Sequence, residues 1–153
     1  MSRFYETNKK KQDIIVLKRV GTMATHQKIL KALRSALAYT DDSMLAVDKK
    51  DGGRLENGIW HVAAELEYAL FLFSLKAQDE IDRSKWKLNP RIDKVEAGPI
   101  LVRVRDLLDK CDESLRKKEF LDAFRDAFFA RRCLLMVQKD FAKKKREALR
   151  EKK

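Results

Sequence analysis

Basic side chains are concentrated in the last part of the chain. Residues 139–153 hold eight lysines and arginines against three carboxylates, a net charge of +5. If this stretch is helical, four of its cations recur every three or four residues on one face: Lys139, Lys143, Arg146 and Arg150. Such a row can follow successive phosphates of a nucleic acid, and each contact releases counterions. The tail is therefore the first candidate binding surface.

Other cations extend this candidate surface. Lys144 lies within the tail, and Arg131 and Arg132 precede it. The first twenty residues carry a net charge of +4, to which Lys9–Lys11 contribute most. The whole chain has a net charge of +11, so the part between the two ends is close to neutral.

A near-neutral body with two basic ends is typical of a protein that binds RNA, DNA or a ribosome surface. Three alternatives remain open for the tail. It could be a solvated helix end, a Lys- and Glu-rich solubilising surface, or an amphipathic helix on an anionic membrane. The membrane alternative is disfavoured because the tail's apolar residues are few: Phe141, Ala142, Ala148 and Leu149.

Carboxylates in the middle of the chain raise the question of a metal-dependent nuclease. Glu65 and Glu67 are two residues apart, so on a helix their side chains diverge by roughly 160° and do not converge on one ion. We expect each to neutralise a cation of a neighbouring helix instead. His61 and Glu65 stand four apart, a spacing that suits a hydrogen bond on one helix face. The sequence predicts no catalytic residues and no metal site.

The remaining reactive residue types give no catalytic or cofactor pattern. Cys111 and Cys133 are too few for a disulfide framework or a closed zinc site, and their apolar neighbours predict small core residues. His26 and His61 lack a second ligand at metal spacing. There is no phosphate-binding glycine loop and no nucleophile motif, so no cofactor is predicted.

Length and composition predict one helical domain of 153 residues with few turns, since glycine (5) and proline (2) are scarce. The longest uncharged run, Tyr68–Leu75, is too short to span a membrane, and no signal peptide is recognisable. We therefore expect no membrane partner and a cytoplasmic location.

In the first half of the chain, residues 1–12 are polar and predict a loosely held segment. Residues 13–20 fit either a helix or a short strand, and Gly21 is expected to interrupt them. A helix is predicted from Thr25 to a break at 51–53, with its apolar face at Ile29, Leu30, Leu33, Ala36 and Leu37.

The most apolar segment, Ile59–Leu75, follows the predicted turn Asn57-Gly58. It has one apolar stripe, and Phe71, Leu72 and Leu75 add apolar side chains elsewhere on its last turns. A helix that is apolar all round is expected in the centre of a bundle or at a subunit contact.

The second half predicts a charged connection and two more helices. Trp86 is either an anchor for residues 76–92 or, with Phe4 and Tyr5, an aromatic surface for stacking bases. Pro99 suits the first turn of a helix that reaches Lys117, and the last helix starts at Phe120. The first of these helices is expected to bury Leu101, Val104, Leu107, Leu108, Cys111 and Leu115. The second is expected to bury Phe120, Ala123, Phe124, Ala127, Phe128, Cys133, Leu134 and Val137. We predict a single all-α domain, an antiparallel bundle of four to five helices, with a polar segment 1–12 and a basic helical extension 139–153. More than about 60% of its residues should be helical, against a base rate of roughly one third.

Two segments also resemble known families. Ala64–Leu70, which contains Glu67-Tyr68, is similar to the central helix of the translin family, helical proteins that bind RNA and single-stranded DNA. Val102–Ala127, with its basic turn, resembles the later helix pair of that family and also the HEPN helical bundles. The resemblance implies a helical nucleic-acid-binding protein.

The same resemblance counts against catalysis. Nuclease-competent translin relatives carry a second carboxylate where this chain has Leu70. The HEPN ribonuclease motif needs a histidine after its arginine, and none follows Arg131 or Arg132. We therefore predict a non-catalytic protein that binds RNA or another single-stranded nucleic acid through its basic ends. The alternatives are a structural subunit of a ribonucleoprotein or homo-oligomer, with 59–75 as the interface, and a metal-dependent nuclease.

Overall fold

The computed structural model describes residues 2–77, 83–87 and 95–151, with side chains from residue 24 onward. The structure is 91% helical, which confirms the predicted all-α class. Within the described ranges there are four α-helices and one short 3-10 turn at Arg83–Lys85. The helices are α1 (Ser2–Asp48), α2 (Gly52–Ala77), α3 (Ala97–Arg116) and α4 (Phe120–Glu151).

Helix α1 is continuous through the segment predicted to be loose or interrupted. It includes residues 2–12, so the polar residues there are helical, and it passes through Gly21 without a break. The strand alternative for residues 13–20 is therefore wrong. One internal glycine costs only about 1 kcal/mol relative to alanine, which is small for a helix of 47 residues.

The turn between α1 and α2 is shorter than predicted. Helix α1 ends at Asp48 and α2 starts at Gly52, well before Asn57-Gly58. Asp51 explains the early start, since its carboxylate accepts a hydrogen bond of 3.1 Å from the backbone N–H of Arg54 and so caps α2. Lys50 has a φ of 54°, the left-handed conformation that reverses the chain after a helix.

Gly58 lies inside α2, where it allows a close approach to α1. A Cβ atom at position 58 would overlap the hydroxyl oxygen of Ser43, which is buried in α1. That hydroxyl donates a hydrogen bond of 2.8 Å to the carbonyl oxygen of Tyr39. The glycine that we interpreted as a turn signal is therefore a packing residue.

The four helices form a bundle in which neighbours run antiparallel. Helix α1 packs against α2 and α3, and α4 packs against the same two helices. Gly98 lies near Val47 and Arg105 pairs with Asp41, so α3 runs opposite to α1. The ion pairs between α4 and α2 show that these two helices also run in opposite directions: Arg131 pairs with Glu67, and Lys145 pairs with Glu56.

This arrangement makes α2 and α3 run in the same direction. The end of α2 is at one end of the bundle, beside His26 and Phe120, whereas α3 starts at the opposite end, beside Val47 and Leu55. Residues 78–96 therefore connect opposite ends of the bundle. Bundles with one such crossover connection are a known variant of the four-helix architecture.

The crossover connection is tied to the bundle at Trp86. The indole ring meets the rings of Phe124 and Phe128 edge-on, with centroids 5.1 and 5.4 Å apart. Nearby, Arg83 Nη2 donates a 2.7 Å hydrogen bond to Ser74 Oγ. The described contacts make Trp86 an anchor of the connection. The side chains of Phe4 and Tyr5 lie outside the described part of the chain.

All four helices contribute to one hydrophobic core. The predicted inward faces of α3 and α4 are turned toward the core. Leu107, Phe120 and Phe128 are half-buried against it. The other predicted residues are buried: Leu101, Val104, Leu108, Cys111 and Leu115 in α3, and Ala123, Phe124, Ala127, Cys133, Leu134 and Val137 in α4. Phe73 and Phe124 stack across the core with ring centroids 5.1 Å apart.

Helix α2 is not buried all round. Its predicted stripe is in the core, but Phe71 and Leu75 are 58% and 55% exposed. The reason is geometric, because a helix at the corner of a four-helix bundle turns only one side toward the core. We predicted that this helix lies either in the centre of a bundle or at a subunit contact. The first of these predictions is therefore wrong.

Both cysteines are buried and reduced, as expected for core residues. The Cys111 thiol donates to the carbonyl oxygen of Ala123 at 3.1 Å, which ties α3 to α4. Burial raises the pKa of both Cys111 and Cys133 thiols above the usual value, so neither is a reactive thiolate at neutral pH.

Candidate nucleic-acid interface

The outer side of α4 carries a continuous row of cations. The helix extends through the basic tail to Glu151, as the sequence predicted. At 3.6 residues per turn, five exposed cations fall within a sector of about 60°. We call them the basic row: Arg132, Lys139, Lys143, Arg146 and Arg150.

The basic row points directly away from the core. The buried positions Ala130, Leu134 and Val137 lie about half a turn away on the same helix. The row covers about 27 Å along the helix axis, at 1.5 Å per residue. Asp140 and Glu151 lie on a neighbouring face of this half of the helix, and Glu147, four residues after Lys143, borders the row.

No cation of the basic row has a carboxylate partner among the described residues. The flanking cations are different. Lys144 pairs with Asp140 at 2.9 Å, Lys145 with Glu56 and Arg131 with Glu67. Lys144 and Arg131 were both predicted to bind nucleic acid, but their charges are partly neutralised inside the protein. The predicted cations of α4 therefore form two groups. Those on the outer face have no carboxylate partner in the described ranges, and those at the edge of that face are paired with carboxylates.

A shallow groove opens beside the upstream end of the row. Its cavity volume is about 320 Å³, and its lining combines cations with apolar side chains: Phe128, Arg131, Arg132, Leu135, Met136 and Lys139. The guanidinium of Arg132 lies over the Phe128 ring, 5.2 Å from its centroid. A half-buried aromatic ring next to cations offers a surface on which a nucleobase can stack.

The apolar part of this groove is missing from the sequence prediction. Phe128 was assigned to the core, and Leu135 and Met136 were not considered. The four-residue spacing of Phe128 and Arg132 was the available signal, because it places an arginine directly over a ring on a helix surface.

Arg105 on α3 does not join the row. Arg105 pairs with Asp41 and Asp109 on the side of the bundle where α1 meets α3. The side chains of Lys9, Lys10 and Lys11 lie outside the described part of the chain. On α3, cations alternate with carboxylates, as in the pair Arg116 and Asp112 with 3.0 Å between the charged atoms. Exposed cations without a carboxylate partner in the described part of the chain also occur elsewhere, such as Lys28, Lys31 and Arg34 on α1, but α4 carries five of them on one face.

Of the two carboxylates considered for catalysis, Glu67 has a structural contact in the described part of the chain. Glu67 pairs with Arg131, which matches its predicted role in neutralising a neighbouring helix. His61 stacks on Tyr39, with ring centroids 4.6 Å apart, so it faces α1. Leu70 is buried in the core. No group of three or more potential metal ligands occurs among the residues that the structure describes.

A second basic cavity, which the sequence did not suggest, opens at the end of the bundle where α2 ends and α4 starts. It has a volume of about 550 Å³ and an apolar floor. Its lining includes His26, Lys76, Arg116, Lys118 and Phe120. Burial, followed by the charges of Lys76 and Lys118, lowers the pKa of His26 below its usual value. The Lys76 ammonium lies 4.9 Å from the centroid of the Phe120 ring.

Comparison with protein-family models, curated proteins and solved structures finds no match for this chain. None of the helices in the described ranges is both long enough and apolar enough to cross a membrane.

Proposed function

We propose that this protein binds RNA or another single-stranded nucleic acid through the outer face of α4, without catalysing a reaction on it. The observation that supports this proposal most strongly is the basic row. Five cations share one exposed face over about 27 Å, and none has a carboxylate partner in the described residues. Solubility alone does not require such segregation of charge.

The spacing of the row suits a phosphate backbone. Successive cations are separated by three, four or seven residues, or about 4.5, 6 and 10.5 Å along the helix. Lysine and arginine on a rigid helix can contact phosphates at these intervals without closing around the strand. Each such contact releases counterions, so affinity comes mainly from the backbone.

The groove beside Arg132 adds an aromatic contact to this electrostatic one. A base that leaves the stack of a flexible strand can lie against Phe128 while the strand continues along the row. Such stacking is tolerant of base identity, because every base has a π-face. We therefore expect little sequence specificity and a preference for single strands.

The test is a salt titration of binding to a fluorescently labelled uridine 12-mer. With four phosphate contacts and a slope of about −0.7 per contact, log affinity should fall with log salt with a slope near −3. The quadruple variant Lys139→Gln, Lys143→Gln, Arg146→Gln and Arg150→Gln should flatten this slope. It should also weaken adenosine and uridine oligomers about equally, because phosphate contacts carry no base information.

A matched control removes the same charge elsewhere. Lys28, Lys31, Arg34 and Lys110 are also exposed helical cations, and changing all four to glutamine should leave most of the slope in place. Glutamine has a helix propensity close to that of lysine and arginine, so both variants should fold. Unchanged binding by the α4 variant, or no binding by the wild type at about 25 mM salt, would contradict the proposal.

A further inference from the structure

The outer face of α2 carries a row of apolar side chains that remain exposed among the described residues. Trp60, Tyr68, Phe71 and Leu75 are between 46% and 61% exposed, and Ala64 is also exposed. At 100° per residue these five positions lie within a sector of about 80°. We call them the apolar row. It runs for about 22 Å along the helix, on the side away from the core.

The outer four positions of the apolar row have the same spacing in both directions, and the fifth, Tyr68, has Glu67 as its mirror position. Trp60 and Leu75 lie equally far from a point midway between residues 67 and 68, and Ala64 and Phe71 also lie equally far from it. If a second copy of α2 is laid antiparallel on the first, Trp60 meets Leu75 and Ala64 meets Phe71. A large side chain then faces a smaller one in each pair, which is how helix surfaces interdigitate.

We infer that the apolar row is the contact surface of a symmetric dimer, in which the α2 helices of two copies pack antiparallel about a two-fold axis between residues 67 and 68. Such an interface is isologous, so the same surface must be complementary to itself. The palindromic spacing of the row meets this requirement, which a contact with an unrelated protein would not impose.

The residues at the centre of the row also fit this arrangement. Tyr68 of one copy comes opposite Glu67 of the other, where its hydroxyl can donate a hydrogen bond to the carboxylate. Glu67 is held by Arg131 of its own chain, which fixes the carboxylate at the edge of the row. A polar pair at the axis, between apolar pairs on both sides, favours one register over its neighbours.

The available area suggests a reversible dimer. Aromatic side chains bury about 150–250 Å² each, so the exposed parts of three aromatic rings and Leu75 provide roughly 400 Å² per copy. That is about half of the ~800 Å² that each partner buries in a standard interface, and the flanks of α2 add to it. We expect dissociation in the micromolar range, where the equilibrium can be measured directly.

Dimerisation does not depend on the proposed nucleic-acid binding. The basic row lies on the outer side of a different helix, α4, and the apolar row lies on α2. The tests below contain no nucleic acid, so failure of one proposal leaves the other standing.

Sedimentation velocity from about 1 to 200 µM tests the contact surface. The wild type should shift from monomer to dimer over this range, and Phe71→Glu should weaken association at least 100-fold. Leu121→Glu is a matched control, because Leu121 is exposed to the same extent as Phe71, 58%, but lies on α4. A wild type that stays monomeric, or equal effects of the two variants, would overturn the inference.

Single cysteines test the register. In the antiparallel dimer, position 68 is next to its own copy across the axis, whereas the two copies of position 75 are about 22 Å apart along the helices. Under mild oxidation by diamide, Tyr68→Cys should form a disulfide dimer and Leu75→Cys should not. The native cysteines are buried and should not compete. Equal cross-linking at both positions would indicate a different arrangement and refute the antiparallel contact, even if Phe71→Glu failed to fold.

Discussion

Helices α2 and α4 pack side by side against the same core, but their outer faces differ in chemistry. Inside, Phe73 of α2 stacks on Phe124 of α4, and both are fully buried. Outside, α2 presents the apolar row and α4 presents the basic row. The two helices are therefore equivalent as parts of the fold and different as surfaces.

This difference shows that two residue patterns of one helix can be interpreted separately. The inward pattern is that of the residues facing the core, and the outward pattern is that of the residues facing away from it. The inward pattern recurs every three to four residues in both helices and sets the bundle. The outward pattern contributes little to folding, so it is free to serve binding. An exposed aromatic row excludes water best against another apolar surface, whereas an exposed cationic row needs an anionic partner.

The largest expected effect is on the free energy of unfolding. It compares a residue on the core side of α2 with a residue on the outer side of α4. Leu70 is only 6% exposed, so Leu70→Ala should lower the free energy of unfolding by about 2–5 kcal/mol through the cavity it leaves. Leu121→Ala makes the same chemical change on the outer side of α4 and should cost less than about 0.5 kcal/mol. Urea unfolding monitored by circular dichroism measures both. Similar losses for the two variants would mean that the assigned faces are wrong.

A smaller effect is expected where α2 touches α1. Gly58→Ala should lower the free energy of unfolding by about 1–2 kcal/mol, because the added methyl group overlaps Ser43 Oγ. In a Ser43→Ala background the overlap is gone, and the better helix propensity of alanine should make the same change stabilising by about 0.5–1 kcal/mol. Such a reversal in the sign of the stability change is expected only if residues 43 and 58 are in direct contact. Equal effects in both backgrounds would exclude it.

The smallest effect concerns the basic cavity where α2 and α4 meet. Because the folded-state pKa of His26 is lowered, the unfolded chain binds more protons near pH 6, and folding stability should fall as the pH drops through about 6.5. His26→Gln should reduce the loss of stability between pH 7 and about 5.5. Gln27→Ala, at a residue that lines the same cavity but does not titrate, is the control and should retain the wild-type loss. Urea midpoints at several pH values decide between these outcomes.

Much of the fold follows from local sequence patterns. Pro99, the turn at 117–119 and the apolar spacing of α3 and α4 predicted those helices closely. The start of α2 was misplaced because a glycine can serve a turn or a close contact, and only the position of Ser43 distinguishes the two. Gly21 was misjudged because one glycine costs only about 1 kcal/mol, too little to end a helix of 47 residues.

Features that depend on partners distant in sequence could not be predicted. The sequence indicated that the tail cations share a face, and the continuous helix confirms that spacing. It could not show that Lys144 and Arg131 are paired with carboxylates, since Glu67 is far away along the chain. Nor could it show which side of α2 stays exposed, because that depends on where the other three helices lie.

The crossover connection has a consequence for how the chain assembles. Each hairpin, α1 with α2 and α3 with α4, joins segments that are close in sequence, and such contacts form quickly. The hairpins bury their apolar sides only against each other, and residues 78–96 hold them at a high effective concentration for that encounter. Docking of preformed hairpins should therefore limit the folding rate. A cut in this tether would turn folding into a bimolecular reaction whose rate depends on protein concentration.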